Sequence, residues 1–414
     1  MDLYLENFPG IYFDSFHDDT GGWMTALSQA NGRTLRLPGG VNLNSIVSAT
    51  LTLPRSIRIV GQTSRSVGNP PTAIGSAIQA VFGGPVFRYA PPDRTAADIL
   101  LEGFHVRGGK ETYGAGNGIE LTNGYDCRIN RLVVSNFGTN NIAITICNSS
   151  VIKDTYSAFA GNANIHIDSE NIKVENCLTD AGQYGLQSTA ISGNLTIDGG
   201  GLFEGSSVAG LSIGGARASV TNTMVNQTFG GKGLIAGPAA FRLHLGPGFR
   251  ATGAQHPQST VGIDLGTIIE YSLIGVSSNS FQTGAKFSEG FGDIIGGQLQ
   301  GTEIGLDATG GGFWAQIIGT VIAGPVHSLL HRSGDRIQYL GCRFDDGTGA
   351  YKAPTILAGN PVMFGANASG LFARRALDAS IDGLILGGGN GTGIVSASGP
   401  DTGGSGFRAL RIPN

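Results

Sequence analysis

This chain is poor in charge, in sulfur and in tryptophan. Only 14% of its 414 residues are charged, 26 basic against 30 acidic, for a net charge of −4 and a pI near 6.0. No basic stripe stands out, so nucleic-acid recognition is not expected. No run approaches the roughly 20 apolar residues of a membrane span. The first residues, Met1-Asp-Leu-Tyr-Leu-Glu, are acidic and soon broken by Pro9, unlike a secretory leader. Synthesis in a cytoplasm without a signal peptide is the corresponding expectation. The four cysteines (Cys127, Cys147, Cys177, Cys342) show no C-x-x-C spacing and read as reduced core thiols. No metal site and no cofactor are expected.

Glycine, by contrast, is abundant: 69 residues, without a Gly-X-Y period. Collagen is excluded, and frequent tight corners explain the excess. Between Cys127 and Gly230 the corners fall into a rhythm. Ile129, Ile152, Val174, Ile197 and Val220 each lead a short alternating strand, and the step from one to the next is nearly constant. A second aliphatic series, Ile119, Ile142, Ile165, Leu186 and Leu211, runs ahead of the first at the same pace. A fixed period in the twenties, built of strands and Gly/Asn turns, is the signature of a solenoid. The lack of helical periodicity predicts an all-β parallel β-helix.

Residues 1–17 read as an extended arm with aromatics at Tyr4, Phe8, Tyr12, Phe13 and Phe16, suited either to a partner or to the first coil. Asp18-Asp19-Thr20 offers N-cap chemistry to an amphipathic helix over residues 20–30, with Trp23, Ala26, Leu27 and Ala30 on one face. Such a helix would lid the open hydrophobic end of a β-helix. The acidic pair with Thr20, the helix ending at Asn31-Gly32, and the strand and turn Thr34-Leu-Arg-Leu-Pro38-Gly39-Gly40 resemble the start of pectate-lyase-like single-stranded right-handed β-helices. That pattern is common in bacteriophage tailspikes and related virion spikes. The glycine-rich loop that usually precedes the acidic pair is missing, since Phe16-His17 stands there. The resemblance is confined to the stretch from Asp18 to Gly40. It implies fold and virion context and carries no catalytic residues.

The chain therefore divides into an arm and capping helix (1–33), a parallel β-helix (34–359) and a small β-rich C-terminal cap or oligomerisation segment (360–414). Two stretches break the rhythm. Residues 62–97, with Pro70-Pro71 and Pro91-Pro92, read as an inserted loop or distorted coil. Residues 231–260, with Pro238, Pro247 and Pro257, read as a long projecting loop.

If the leading aliphatics face inward, the residues after them face outward. That column runs Asn130, Lys153, Glu175, Asp198 and Thr221. Glu175 and Asp198 then stand one rung apart, about 4.8 Å between backbones. Asp180 and Glu204 follow near the next corner, and no Lys or Arg occurs from 174 to 216. Carboxylate pairs of this kind serve glycosidases, about 5–5.5 Å apart in retaining and roughly 6.5–9.5 Å in inverting enzymes. Crowded like charges would also raise one pKa and yield a proton donor. On that reading Glu175, Asp198 and Glu204 are catalytic, while Asp180, Lys153, Tyr184 and Trp314 contact substrate. The plainer alternative is a solvated β surface on which Lys153 pairs with Glu175.

Named polysaccharide-active signatures are absent. The chain has no Gly-His-Gly or Arg-Ile-Lys, no Asp-Pro-His-Glu, no Arg-x-Pro-x-x-Arg, no P-loop and no nucleophile elbow. The leading expectation is a virion spike or tailspike-like homotrimer that binds bacterial capsule or lipopolysaccharide at host attachment, joined to other virion proteins through its arm. The alternatives are a polysaccharide hydrolase or lyase, and a purely structural virion protein.

Overall fold

The computed structural model describes residues 2–350 apart from 41–42, 63–74, 190–192, 216, 228–229, 238–239, 254–258, 311–312 and 333–335. It also describes residues 352 and 355–357 and four strands, Met363–Ala366, Ile385–Gly388, Gly393–Val395 and Ala409–Arg411. The rest of the expected C-terminal cap lies outside the described residues. The chain is a right-handed parallel β-helix, divided into two compact units, Met1–Ala218 and Ser219–Asn414.

In the first unit each coil contributes one strand to each of three parallel sheets. The first sheet stacks Leu3–Tyr4, Arg33–Arg36, Ser56–Val60, Asp98–Glu102, Arg128–Asn130, Val151–Lys153, Ile172–Glu175 and Asn194–Asp198. The second stacks Asp14–Asp18, Leu43–Val47, Ser76–Ala80, His105–Arg107, Val133–Ser135, Tyr156–Ala158 and the opening parts of Leu178–Ser188 and Leu202–Ile213. The third runs from Leu51–Thr52 and Phe87–Tyr89 through Ile119–Thr122, Ile142–Thr145 and Ala163–Asp168. It ends on the closing parts of the same two long strands.

Period becomes geometry through the corners. Left-handed residues join the first sheet to the second: Arg131 (φ 50°), Asp154 (φ 49°) and Asn176 (φ 47°) singly, and Gly199 (φ 86°) together with Gly200 (φ 83°). Arg131, Asp154, Asn176 and Gly199 each follow their aliphatic leader at the same offset, so corners and leaders keep one rhythm. Left-handed backbone favours Gly, Asn and Asp, which is why those residues mark the corners in the sequence. The ladder continues through the bend, since Arg131, Asp154 and Asn176 donate their amides to the carbonyls of Lys153, Glu175 and Asp198.

The leaders fill the interior. Ile129, Ile152, Val174 and Ile197 are at most 1% exposed, and Ile119, Ile142, Ile165, Leu186 and Leu211 are fully buried. Where the coil turns without an aliphatic, asparagines stack. Asn141 Nδ2 donates to the carbonyls of Val134 and Ala158 and to Asn164 Oδ1, and both asparagines are completely buried. This satisfies backbone carbonyls that the turn would otherwise strand in the core.

Helix α1 (Thr20–Gln29) covers the N-terminal end, as its apolar spacing predicts. Trp23 is fully buried and meets Phe87 edge-to-face at 5.7 Å. The acidic pair divides its labour. Asp18 Oδ1 accepts the amide (3.0 Å) and hydroxyl (2.5 Å) of Thr20, the first residue of the helix, whose N-cap is Asp19. Asp19 is fully buried and turns to the arm, accepting the amides of Tyr12 (2.8 Å) and Phe13 (3.3 Å) and the Ser45 hydroxyl (2.6 Å). Ser45 in turn accepts Trp23 Nε1 at 2.9 Å. The arm thus belongs to the first coil: Leu3 and Tyr4 pair with Leu35 and Arg36, and Leu5 is buried. Tyr12 and Phe16 stay exposed.

Two expectations are corrected. Within 62–97, the strands Ser76–Ala80 and Phe87–Tyr89 are ordinary rungs, paired on both sides; residues 63–74 lie outside the described residues. In the second unit, 231–260 is no projecting loop. Lys232–Ala236, Ala240–Leu245 and Arg250–Gly253 each pair in parallel with later strands of the same unit. Pro247 lies at a corner between rungs, where the missing amide costs no ladder bond. Further rungs follow in parallel through Val261–Ile274, Ser277–Ile295, Gln298–Ala308 and Phe313–Ile318 to Arg343–Asp345.

Candidate functional site

The outward column of the first sheet is in the register that the repeat predicts. Asn130 faces Lys153, Lys153 faces Glu175, and Glu175 faces Asp198 on successive rungs. Glu175 is held by two lysines: Lys153 Nζ at 3.7 Å from the neighbouring coil and Lys173 Nζ at 2.5 Å from its own strand. Lys173 stands one residue outside the Lys-free window. Two residues along a strand share a face, so this cation reaches back over the acids. Glu175 and then Asp198 hold the Lys173 ammonium above its ordinary pKa. Glu175 and Asp198 are therefore brought together with lysines around them, a mixed charge ladder.

The second pair sits past the corner, on the second sheet. Asp180 is directly opposite Glu204, and Ala158 precedes Asp180 in that column. Partial burial pushes the Asp180 carboxyl above the ordinary carboxylate range, against the opposing pull of the Ala181 amide. Beside this pair stands a residue that the repeat did not single out, Tyr156. It precedes Leu178 in register, two residues from the Asp180 column and on the same outer side. Burial, then the charges of Asp180 and Glu204, push its hydroxyl up to about 12. The phenol therefore stays protonated beside the two acids and keeps a proton it can donate. The signal was available in the sequence, since Val133, Tyr156, Leu178 and Leu202 form a column in the same period.

The other expected contacts do not converge here. Tyr184 faces Ala163 and Ala209 in the part of its strand that belongs to the third sheet. Trp314 belongs to the second unit, where its backbone faces Phe291 and Arg336; its side chain is outside the described residues. Two histidines are structural. His105 is buried, with Nε2 3.0 Å from Ser135 Oγ, and burial lowers it to about 4. His166 faces Gln187 Oε1 at 3.2 Å and is likewise lowered by burial. Among the described residues no group of three His, Cys, Asp or Glu side chains is placed to hold a metal ion. No described helix is long and apolar enough to cross a membrane.

No sequence-family description matches the chain, and no curated protein does. Solved structures do. The N-terminal fragment of bacteriophage Phi29 gene product 12 superposes with a TM-score of 0.57 at 12% identity, over 94% of this chain and 71% of that one. The A-module of the Azotobacter vinelandii mannuronan C-5 epimerase AlgE6 gives 0.55 at 13%, over 93% and 99%. The Streptococcus pneumoniae surface protein and adhesin PfbA gives 0.53 at 10%, over 88% and 100%. The enzymatically active domain of bacteriophage CBA120 tailspike protein 2 gives 0.50 at 14%, over 82% of this chain but only 51% of that one. At such identities the likeness is one of fold. The three-sheet coil, the left-handed corners and the capping helix make the chain a right-handed parallel β-helix, the architecture also built by these bacteriophage, epimerase and adhesin structures.

Proposed function

We propose that this chain is a virion spike or tailspike-like protein that binds bacterial surface polysaccharide, capsule or lipopolysaccharide, during host attachment. The observation that carries the reading is the mixed charge ladder Asn130–Lys153–Glu175–Asp198 on successive rungs of one parallel sheet. It repeats polar groups at one rung spacing, about 4.8 Å, which suits the hydroxyls of a regular glycan. Bacteriophage and adhesin proteins sharing the fold support the context. Glu175, held between Lys153 and Lys173, would accept sugar hydroxyls rather than deliver a proton. Tyr12 and Phe16, exposed on the arm, would meet other virion proteins, and a homotrimer would present the sheets side by side.

A depolymerase is the second reading, and Asp180 favours it. A carboxyl raised by burial is a general acid, and Glu204, facing it one rung on, would serve as base or nucleophile. The test is incubation of the full chain with purified capsule or lipopolysaccharide, measuring binding together with new reducing ends and unsaturated uronates. Retention without products is expected. Products that vanish in Asp180→Asn or Glu204→Gln would replace the binding reading with the enzyme. Products lost only in Glu175→Gln or Asp198→Asn would place the chemistry on the first sheet. Neither binding nor products would leave a structural virion role.

A further inference from the structure

Parallel to the mixed ladder, two residues back along each strand, runs a second outward column on the first sheet. On successive rungs it reads Arg58, Leu100, Arg128, Val151 and Lys173. Cations stand on every second rung, about 10 Å apart at two rung spacings. All three are exposed, while Leu100 and Val151 between them are half-buried. Near one end of the column the surface opens into a hollow of about 670 Å³, lined by Arg55, Arg58, Asp98, Asp126 and Arg128. This falls within the size range of small-ligand sites, roughly 300–1,000 Å³.

The arginines there differ in their commitments. Arg55 Nε donates to the Ala96 carbonyl at 2.6 Å. Arg58 reaches Asp98 through a single exposed contact of 3.2 Å, a pair worth little in water. Arg128 has no ion pair among the described residues. A guanidinium fork without a carboxylate partner is suited to bidentate capture of a planar or tetrahedral anion.

We infer that this column is a binding register for a linear anionic glycan whose negative groups recur about every two rungs. Arg128 takes a carboxylate or phosphate at the hollow. Arg58 takes the negative group before it, and Lys173, whose ammonium already pairs with Glu175 at 2.5 Å, shares its charge with the one after. Leu100 and Val151 lie under the apolar faces of the intervening units, and Asp98 and Asp126 accept hydroxyls. The inference rests on the reading of the chain as a polysaccharide binder and adds the charge, spacing and place of the ligand. The site is separate from the Asp180–Glu204 pair, which lies on the second sheet.

The experiment titrates the full chain with three probes: an oligogalacturonate series, a glycerol phosphate oligomer series and neutral cello-oligosaccharides, each at low and physiological salt. The anionic probes should bind and weaken with salt, and the tighter of the two identifies carboxylate or phosphate as the natural group. Arg58→Ala/Arg128→Ala should lose about tenfold in affinity for that probe, or about 1.4 kcal/mol. Arg128→Lys should fall between, keeping charge without the fork. Arg88→Ala, which removes an exposed arginine from the third sheet, should leave this affinity unchanged. Anionic binding that is unaffected by the double substitution overturns the inference. Preference for the neutral probes also overturns it, yet leaves polysaccharide binding standing. Absence of binding to every probe and to host polysaccharide overturns both.

Discussion

Asp180 and Glu204 lie directly opposite one another on adjacent rungs, although a full coil of chain separates them. Parallel stacking places like charges side by side at about 4.8 Å between backbones, with Tyr156 the neutral neighbour on the same face. Burial raises the Asp180 carboxyl. A carboxyl raised in the folded state contributes stability that is fully present below its ordinary pKa, near 3.9. That contribution is lost as pH rises through the folded value. Asp180→Asn should therefore stabilise the chain above that window and make no difference below it. The gain should stay under about 1 kcal/mol, because the group is only half-buried. Thermal melts of both proteins from pH 3 to 8 check it; a lower melting temperature for the variant at neutral pH would contradict the assignment.

Asp19 ties the arm to the first coil through two backbone amides and Ser45. Removing a buried acceptor strands its donors. Asp19→Ala should cost about 2–4 kcal/mol and release residues 12 and 13 first. Hydrogen exchange would show this as faster exchange in the arm and α1 with little change at Ile152 or Ile165. Unchanged protection of the arm would mean that Leu5 and Phe13 alone hold it.

Two corner glycines have no room for a side chain. A Cβ on Gly161 would stand 1.9 Å from the Gly138 carbonyl oxygen, and one on Gly138 would stand 2.1 Å from that of Gly114. Gly161→Ala should cost about 1–3 kcal/mol through overpacking. Alanine at Gly200, where nothing lies within 4 Å but φ is 83°, should cost less, about 1 kcal/mol. Urea unfolding monitored in the first unit distinguishes the two; equal costs would rule out the backbone clash as cause.

The cysteines are free, three of them buried. The Cys147 thiol beside it, and then burial, push Cys127 upward, and burial pushes Cys342 up to about 11. Native protein should react slowly with a thiol reagent at pH 8, with Cys342 first, and all four should react at once in guanidinium. A shortfall after unfolding without reductant would reveal a disulfide.

Much of the fold could be read from residue spacing. Ile129, Ile152, Val174 and Ile197 repeat because each must fill the same slot, and Asp154, Asn176 and Gly199 repeat because each must take the same left-handed bend. The readings of 62–97 and 231–260 failed where proline and glycine clusters outweighed a weak strand pattern. Proline at a corner between rungs, as at Pro247, leaves the ladder intact, so its presence before Arg250–Gly253 says nothing against that strand.

The site was legible in part. Register along the first sheet followed from the leaders, so Glu175 opposite Asp198 was foreseeable. Lys173 was missed because a window drawn at residue 174 cut it off from Glu175, two residues along the same strand. Tyr156 was missed because its column begins after the corner, and a shift of one residue there would turn it to the other face.

By itself the sequence determined the coil length, the inward columns and the capping helix, because alternation and period are local properties of the chain. The pairing of Lys153 with Glu175 was open in the sequence; only the tertiary structure added Lys173 to Glu175, brought Tyr156 to Asp180 and Glu204, and set Arg58 in step with Arg128. Each of those meetings depends on the length of every corner between the rungs. Corners vary by one or two residues, and the face that a side chain presents changes with each.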